Sequence, residues 1–150
     1  AVIPVKVTLT GATPPSTASS TFTFVLQGAA GAPMPASDTI TIDGTGSGRF
    51  GPIAYTVPNT YSYTLYQVGG SVNGYTYDAT AYDVKVYITS DNAGNLSSTV
   101  WLYKQGTSTK QNTAEFANRY QVKTDIPKTG YDNDAQDYVD NAFAWLKDLL

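Results

Sequence analysis

Residues 116–120 read Phe-Ala-Asn-Arg-Tyr. Side chains along a strand repeat every two residues, so Phe116, Asn118 and Tyr120 share one face. Two aromatics mark that face as the one turned toward a core. Asn118 is therefore an amide set among apolar groups, and a buried primary amide requires hydrogen-bond partners. The stretch reads as the centre of a strand over residues 114–122, the last of a series.

The same alternation runs back to the start of the chain. Residues 2–10 place Ile3, Val5, Val7 and Leu9 on one face and Pro4, Lys6, Thr8 and Thr10 on the other. Simple alternation thus buries Val5 and Val7 and points Lys6 at solvent. Residues 21–27 put Phe22, Phe24 and Leu26 together, and residues 38–43 alternate before a Gly-rich turn. Residues 50–57, interrupted by Pro52 and closed by Pro58, are expected to form an edge or irregular strand. Residues 60–68 align Tyr61, Tyr63, Leu65 and Gln67. Residues 75–89 read as one long strand, which a turn at 91–95 joins to residues 96–103 as a hairpin. Seven or eight short strands with no helical pattern before residue 131 indicate an all-β sandwich.

Composition supports this and narrows the chemistry. Twelve Tyr and abundant Thr favour strands. With no Cys and no His, disulfides and any nucleophile or metal site built on those residues are excluded. No cofactor is implied. The net charge is −3, but residues 1–130 hold eight basic and seven acidic side chains. The acidity belongs to residues 131–150, where Asp132, Asp134, Asp137, Asp140 and Asp148 face Lys147 alone. No basic stripe points to nucleic acid. No run of eighteen apolar residues is present, so no membrane span is expected in the chain as given.

In residues 131–150 the apolar positions Tyr138, Val139, Phe143, Trp145, Leu146 and Leu149 fall near helical spacing. They predict a short amphipathic helix, which at that length needs a docking surface. The division expected is a β-sandwich over 1–122, a linker over 123–130 and an acidic helical tail over 131–150, for which a non-native origin is one reading.

The order VIPVKVTLTG, TFTF, YSYTLYQVGG, GYTYD, YDVKVYIT and FANRY resembles the isopeptide-bonded, immunoglobulin-like (CnaB-type) domains of Gram-positive major pilins. In that family an inward Lys of the first strand joins an Asn of the last and releases ammonia, helped by a buried neutral Glu. The resemblance places Asn118 at the Asn position, Gln67 at the Glu position and Val7 at an inward slot where Lys is expected. Lys6 is the only Lys in the strand and lies on the wrong face unless a β-bulge turns it. Gln67 donates hydrogen bonds but cannot exchange a proton. The expectation is an amide–amide hydrogen bond between Gln67 and Asn118 under an apolar lid such as Val7, rather than a Lys6–Asn118 bond. Asp43, Asp83 and Glu115 have no assigned place at the site.

About ten residues further on, Ile126-Pro127-Lys128-Thr129-Gly130 is similar to the pentapeptide that sortases cleave between Thr and Gly. The resemblance implies a donor end at Thr129 and Gly130, and an acceptor lysine on the next subunit. Lys110, in a polar run before the last strand, is the first choice for that acceptor and Lys104 the second. The leading expectation is a structural pilus subunit on the surface of a Gram-positive bacterium. Its partners are a sortase and neighbouring subunits, with a host surface ligand as a further candidate. The alternatives are an adhesin of the same fold and an engineered scaffold derived from such a domain, hinted at by Val7, Gln67 and the tail. An enzyme acting on external substrates is least expected, the family's self-bonding being at most a single turnover.

Overall fold

In the first strand, β1 (Ile3–Gly11), alternate residues go under cover: Ile3, Val5 and Val7 are buried, while Lys6 and Thr8 are exposed. Pro4 stands near the strand's beginning, where its missing N–H costs the ladder least. The computed structural model describes residues 1–122. The expected linker and helical tail lie outside the described residues.

Eight further strands follow among the described residues: β2 (Thr21–Gly28), β3 (Thr39–Asp43), β4 (Gly46–Phe50), β5 (Asn59–Gln67), β6 (Tyr75–Thr76), β7 (Ala81–Ser90), β8 (Leu96–Lys104) and β9 (Ala114–Tyr120). They form two sheets, ordered β4-β1-β9-β6 and β3-β2-β5-β7-β8. The first and last strands lie side by side and parallel, with Val7 opposite Phe116 and Leu9 opposite Asn118. The other strand pairs are antiparallel. The inner faces meet in a core that includes Phe24, Phe116 and Tyr82, with Phe116 4.9 Å from Phe24 and 5.4 Å from Tyr82 between ring centroids.

Three boundaries differ from the sequence reading. The strand expected over 50–57 is displaced: β4 occupies the Gly-rich stretch read as a turn, and residues 51–58 lie outside the sheets. Glycine serves there because β3 packs close. A Cβ on Gly48 would come within 3.2 Å of Ile40 and Ile42 side chains. The strand expected over 75–89 is two elements in two sheets, β6 beside β9 and β7 beside β5. Asp78 breaks it, accepting from Thr80 N at 2.9 Å in a tight turn that crosses between the sheets. The last strand ends at Tyr120, two residues early.

The end of β9 is wedged between two glycines. Gly11 and Gly74 both have positive φ, 91° and 96°. A Cβ on the first would lie 2.1 Å from Tyr120 O and one on the second 2.5 Å from the Tyr120 ring. Both backbone shapes and both approaches demand the missing side chain. They fix Tyr120, and with it the register of Asn118 two residues earlier.

Candidate functional site

Asn118 is fully buried on β9, and Gln67, at the end of β5, is 6% exposed. They belong to opposite sheets, and their amides meet across the core. Gln67 Nε2 donates to Asn118 Oδ1 at 2.9 Å, and Asn118 Nδ2 donates to Gln67 Oε1 at 2.7 Å. The main chain of Asp78 sets the orientation of both. Its N–H donates to Asn118 Oδ1 at 2.8 Å, and its carbonyl accepts from Gln67 Nε2 at 3.3 Å. Turning either amide over would set donor against donor, so the arrangement has one sense.

The surroundings are apolar. Phe24 is the register partner of Gln67 on β2, and Phe116 precedes Asn118 on the inner face of β9. Val7 is wholly buried on β1. Directly across from Asn118 stands Leu9, with Val7 one inward position back. Lys6 is exposed on the outer face, paired in register with Ser47 and Glu115, and no bulge turns it inward.

Asn118 Oδ1 thus accepts two hydrogen bonds, which draw electron density from its carbonyl carbon. That prepares an electrophile, as two donors on an acyl oxygen do in general. The complementary parts are missing from this pocket. Val7 and Leu9 offer no amine, and Gln67 offers no exchangeable acid proton. The arrangement satisfies two buried amides and joins the sheets.

Sequence reading missed two side chains that complete the site. Beyond β6, which pairs only with Arg119 and Tyr120, the outer edge of β9 has no strand neighbour. Side chains stand in for one. The Asp78 carboxylate accepts from Ala117 N at 2.8 Å. The Tyr82 hydroxyl donates to Glu115 O at 2.5 Å and accepts from Glu115 N at 3.0 Å. Burial pushes the Asp78 carboxyl upward, but hydrogen bonds from Thr80 and Ala117 and the charge of Lys104 outweigh it and hold the group below its ordinary value. Burial also raises the Tyr82 hydroxyl, keeping it a neutral donor. Asp78-Ala79-Thr80 carries a turn signal that the strand formers on either side conceal. The role of Tyr82 is hidden too, since an inward Tyr reads as core.

Lys110 lies exposed on the loop between β8 and β9, with Nζ 4.8 Å from the centroid of the Trp101 ring. Lys104, at the end of β8, is exposed and lines a shallow cleft of about 240 Å³ with Asp78, Gln111 and Glu115. Asp43 ends β3, accepting from the Thr21 hydroxyl, and Asp83 accepts from Gln105 at 3.2 Å. Thr129 and Gly130 lie outside the described residues. Among the described residues no group of three or more acidic side chains is placed to hold a metal ion. Nor is any helix there long and apolar enough to cross a membrane.

Comparison with known proteins gives this geometry a context. The family model described as FctA, Spy0128-like isopeptide containing domain, matches residues 3–121. Among solved structures, the major pilin from Streptococcus pyogenes is similar, with a TM-score of 0.63 at 20% identity over 80% of this chain and 50% of that one. The major pilin protein T-13 from Streptococcus pyogenes serotype GAS131465 gives 0.63 at 15% identity over 79% and 51%. The T3.2 major pilin from serotype GAS13637 gives 0.61 at 19% identity over 79% and 52%. The chain spans about half the length of these structures, and at such identities the likeness is one of fold. No curated protein matches the chain in sequence.

Proposed function

The chain belongs to the FctA family of Spy0128-like isopeptide-containing domains, and on that premise we propose that it is a structural subunit of a covalently assembled surface pilus of a Gram-positive bacterium. A sortase joins the subunits head to tail, Thr129 of one to Lys110 of the next. The internal Lys–Asn bond of the family is absent, and the Gln67–Asn118 amide pair takes its place. The protein acts on no external substrate, and its setting is the cell wall and the space outside it.

The observation that carries this reading is the placement of Lys110: exposed, in a polar loop, immediately before the strand that holds the buried Asn118. The chemistry is an exchange of amides. The Thr129–Gly130 peptide bond breaks, and an amide forms between the Thr129 carbonyl and Lys110 Nζ. The proton that the lysine amine gives up ends on the amine of Gly130. One amide replaces another, so neither oxidant nor energy source is needed.

Incubation of the chain with a pilin-polymerising sortase tests the reading. A ladder of covalent multimers that disappears in Lys110→Ala is expected. A single product carried on another acceptor, with no ladder, would replace the shaft subunit with an adhesin anchored at one end. A ladder that persists in Lys110→Ala and vanishes in Lys104→Ala would move the acceptor.

A further inference from the structure

We infer that Trp101 is a positioning residue that presents the Lys110 amine to the transpeptidase, an inference that rests on Lys110 being the acceptor. Trp101 and the buried Leu102 are successive residues of β8, so the indole lies on the outer face of the five-stranded sheet. The Lys110 ammonium lies 4.8 Å from its centroid. At that separation the electron-rich face of the ring attracts the cation. The main chain is fixed at the same place. Gln111, next to Lys110, donates from N to Leu102 O at 2.8 Å and accepts at O from Leu102 N at 2.9 Å. One contact holds the backbone and the other the side-chain tip, so a long, flexible side chain is restricted to one direction along β8.

Lys104 is placed otherwise. It shares its cleft with Asp78 and Glu115, and its charge helps keep the Asp78 carboxyl ionised. Its amine is set among carboxylates rather than over an aromatic face. Against a neutral ring the hold is weaker. Lys110 is oriented by Trp101 and stays exposed to the transpeptidase. Positioning of this strength is worth about two- to five-fold in rate.

The test separates donor from acceptor. An amino-terminally labelled Ile-Pro-Lys-Thr-Gly peptide serves as donor, and the full chain carrying Thr129→Ala serves as acceptor. Label transfer is followed against acceptor concentration. Trp101→Leu is expected to lower transfer two- to five-fold below saturation, Trp101→Phe to restore most of it, and neither to lower the melting temperature appreciably. In the NMR spectrum the Lys110 ε-methylene protons are expected upfield of ordinary lysine positions, returning to them in Trp101→Leu. Transfer unchanged in Trp101→Leu, or no ring-induced shift in the parent chain, overturns the inference while the acceptor assignment stands. Equal loss in Trp101→Leu and Trp101→Phe with lowered melting temperatures makes Trp101 structural and also overturns it. Transfer that survives Lys110→Ala removes the acceptor assignment itself, and the role of Trp101 with it.

Discussion

Gln67 and Asn118 exchange two hydrogen bonds across the core, one from each amide to the other, at 2.9 and 2.7 Å. They sit on opposite sheets, so the pair is a tie between layers. Each amide is held in its orientation by the same backbone unit, Asp78, and Asn118 is fully buried.

Removing one partner strands the other. Asn118→Ala leaves the Gln67 amide and the Asp78 N–H without their partner, and is expected to cost about 2–4 kcal/mol. Gln67→Ala costs somewhat less. The double variant costs less than the sum of the two, with a coupling of about 1–3 kcal/mol by denaturant unfolding. Additive losses would mean that the pair does not act as a unit.

The intact mass of the parent chain is expected to equal that of its sequence. Lys6 faces solvent, and Asn118 meets no amine. A mass short by one ammonia, with a linked peptide joining β1 to β9, would show that Lys6 turns inward after all.

Restoring the two missing groups should restore the reaction. In Val7→Lys with Gln67→Glu the new lysine lies diagonally from Asn118, within the reach of its side chain, and burial lowers its pKa toward a neutral amine. Leu9 is nearer in register but only partly buried, so a lysine there can escape to water. The double variant is expected to lose one ammonia and to melt higher than the parent. Val7→Lys alone is expected to keep its full mass and to melt lower, carrying a buried amine without a proton carrier.

Acid should weaken the fold through Asp78. Its folded pKa lies below the ordinary value of 3.8. The contribution is therefore complete above that value and is lost as pH falls through the folded pKa. The melting temperature of the parent chain should drop toward that of Asp78→Asn as the pH goes below about 4. A constant gap between the two from neutral to strongly acid pH would exclude the carboxylate as its source.

Tyr82→Phe removes both hydrogen bonds to the Glu115 main chain without changing the shape of the core. A loss of about 1–2 kcal/mol is expected. Hydrogen exchange at the Glu115 amide should speed up more than at the core of β5. Unchanged protection at Glu115 would mean that water replaces the hydroxyl.

The two-residue alternation made the inner faces legible: Ile3, Val5 and Val7, then Phe22, Phe24 and Leu26, and at the end Phe116, Asn118 and Tyr120 all lie where that period puts them. It failed where glycine or a turn residue decided the matter. Gly46 and Gly48 read as a turn because they carry no side chain to alternate, yet β3 requires that lack of bulk. Asp78 was passed over because its Asx turn sits inside an otherwise continuous run of strand formers. At the site, Asn118 was conspicuous as a polar group on an apolar face. Its partners on the Asp78 main chain were invisible, since backbone donors carry no sequence signature. The parallel register that sets Leu9 rather than Val7 opposite Asn118 depends on two strands more than a hundred residues apart, and no local pattern encodes it.

The position of Lys110 just ahead of β9 has a mechanical consequence. In a filament joined from Thr129 to Lys110, tension enters the folded domain at residue 110 and leaves it beyond residue 120. Among the described residues β9 is then the strand on the covalent line of force, and β1 through β8 hang beside it. The parallel β1–β9 ladder lies alongside that line and carries none of the end-to-end load. A bond from β1 to β9 would brace that ladder but would not lie on the line of force. A subunit of this design can therefore carry load through the filament without one.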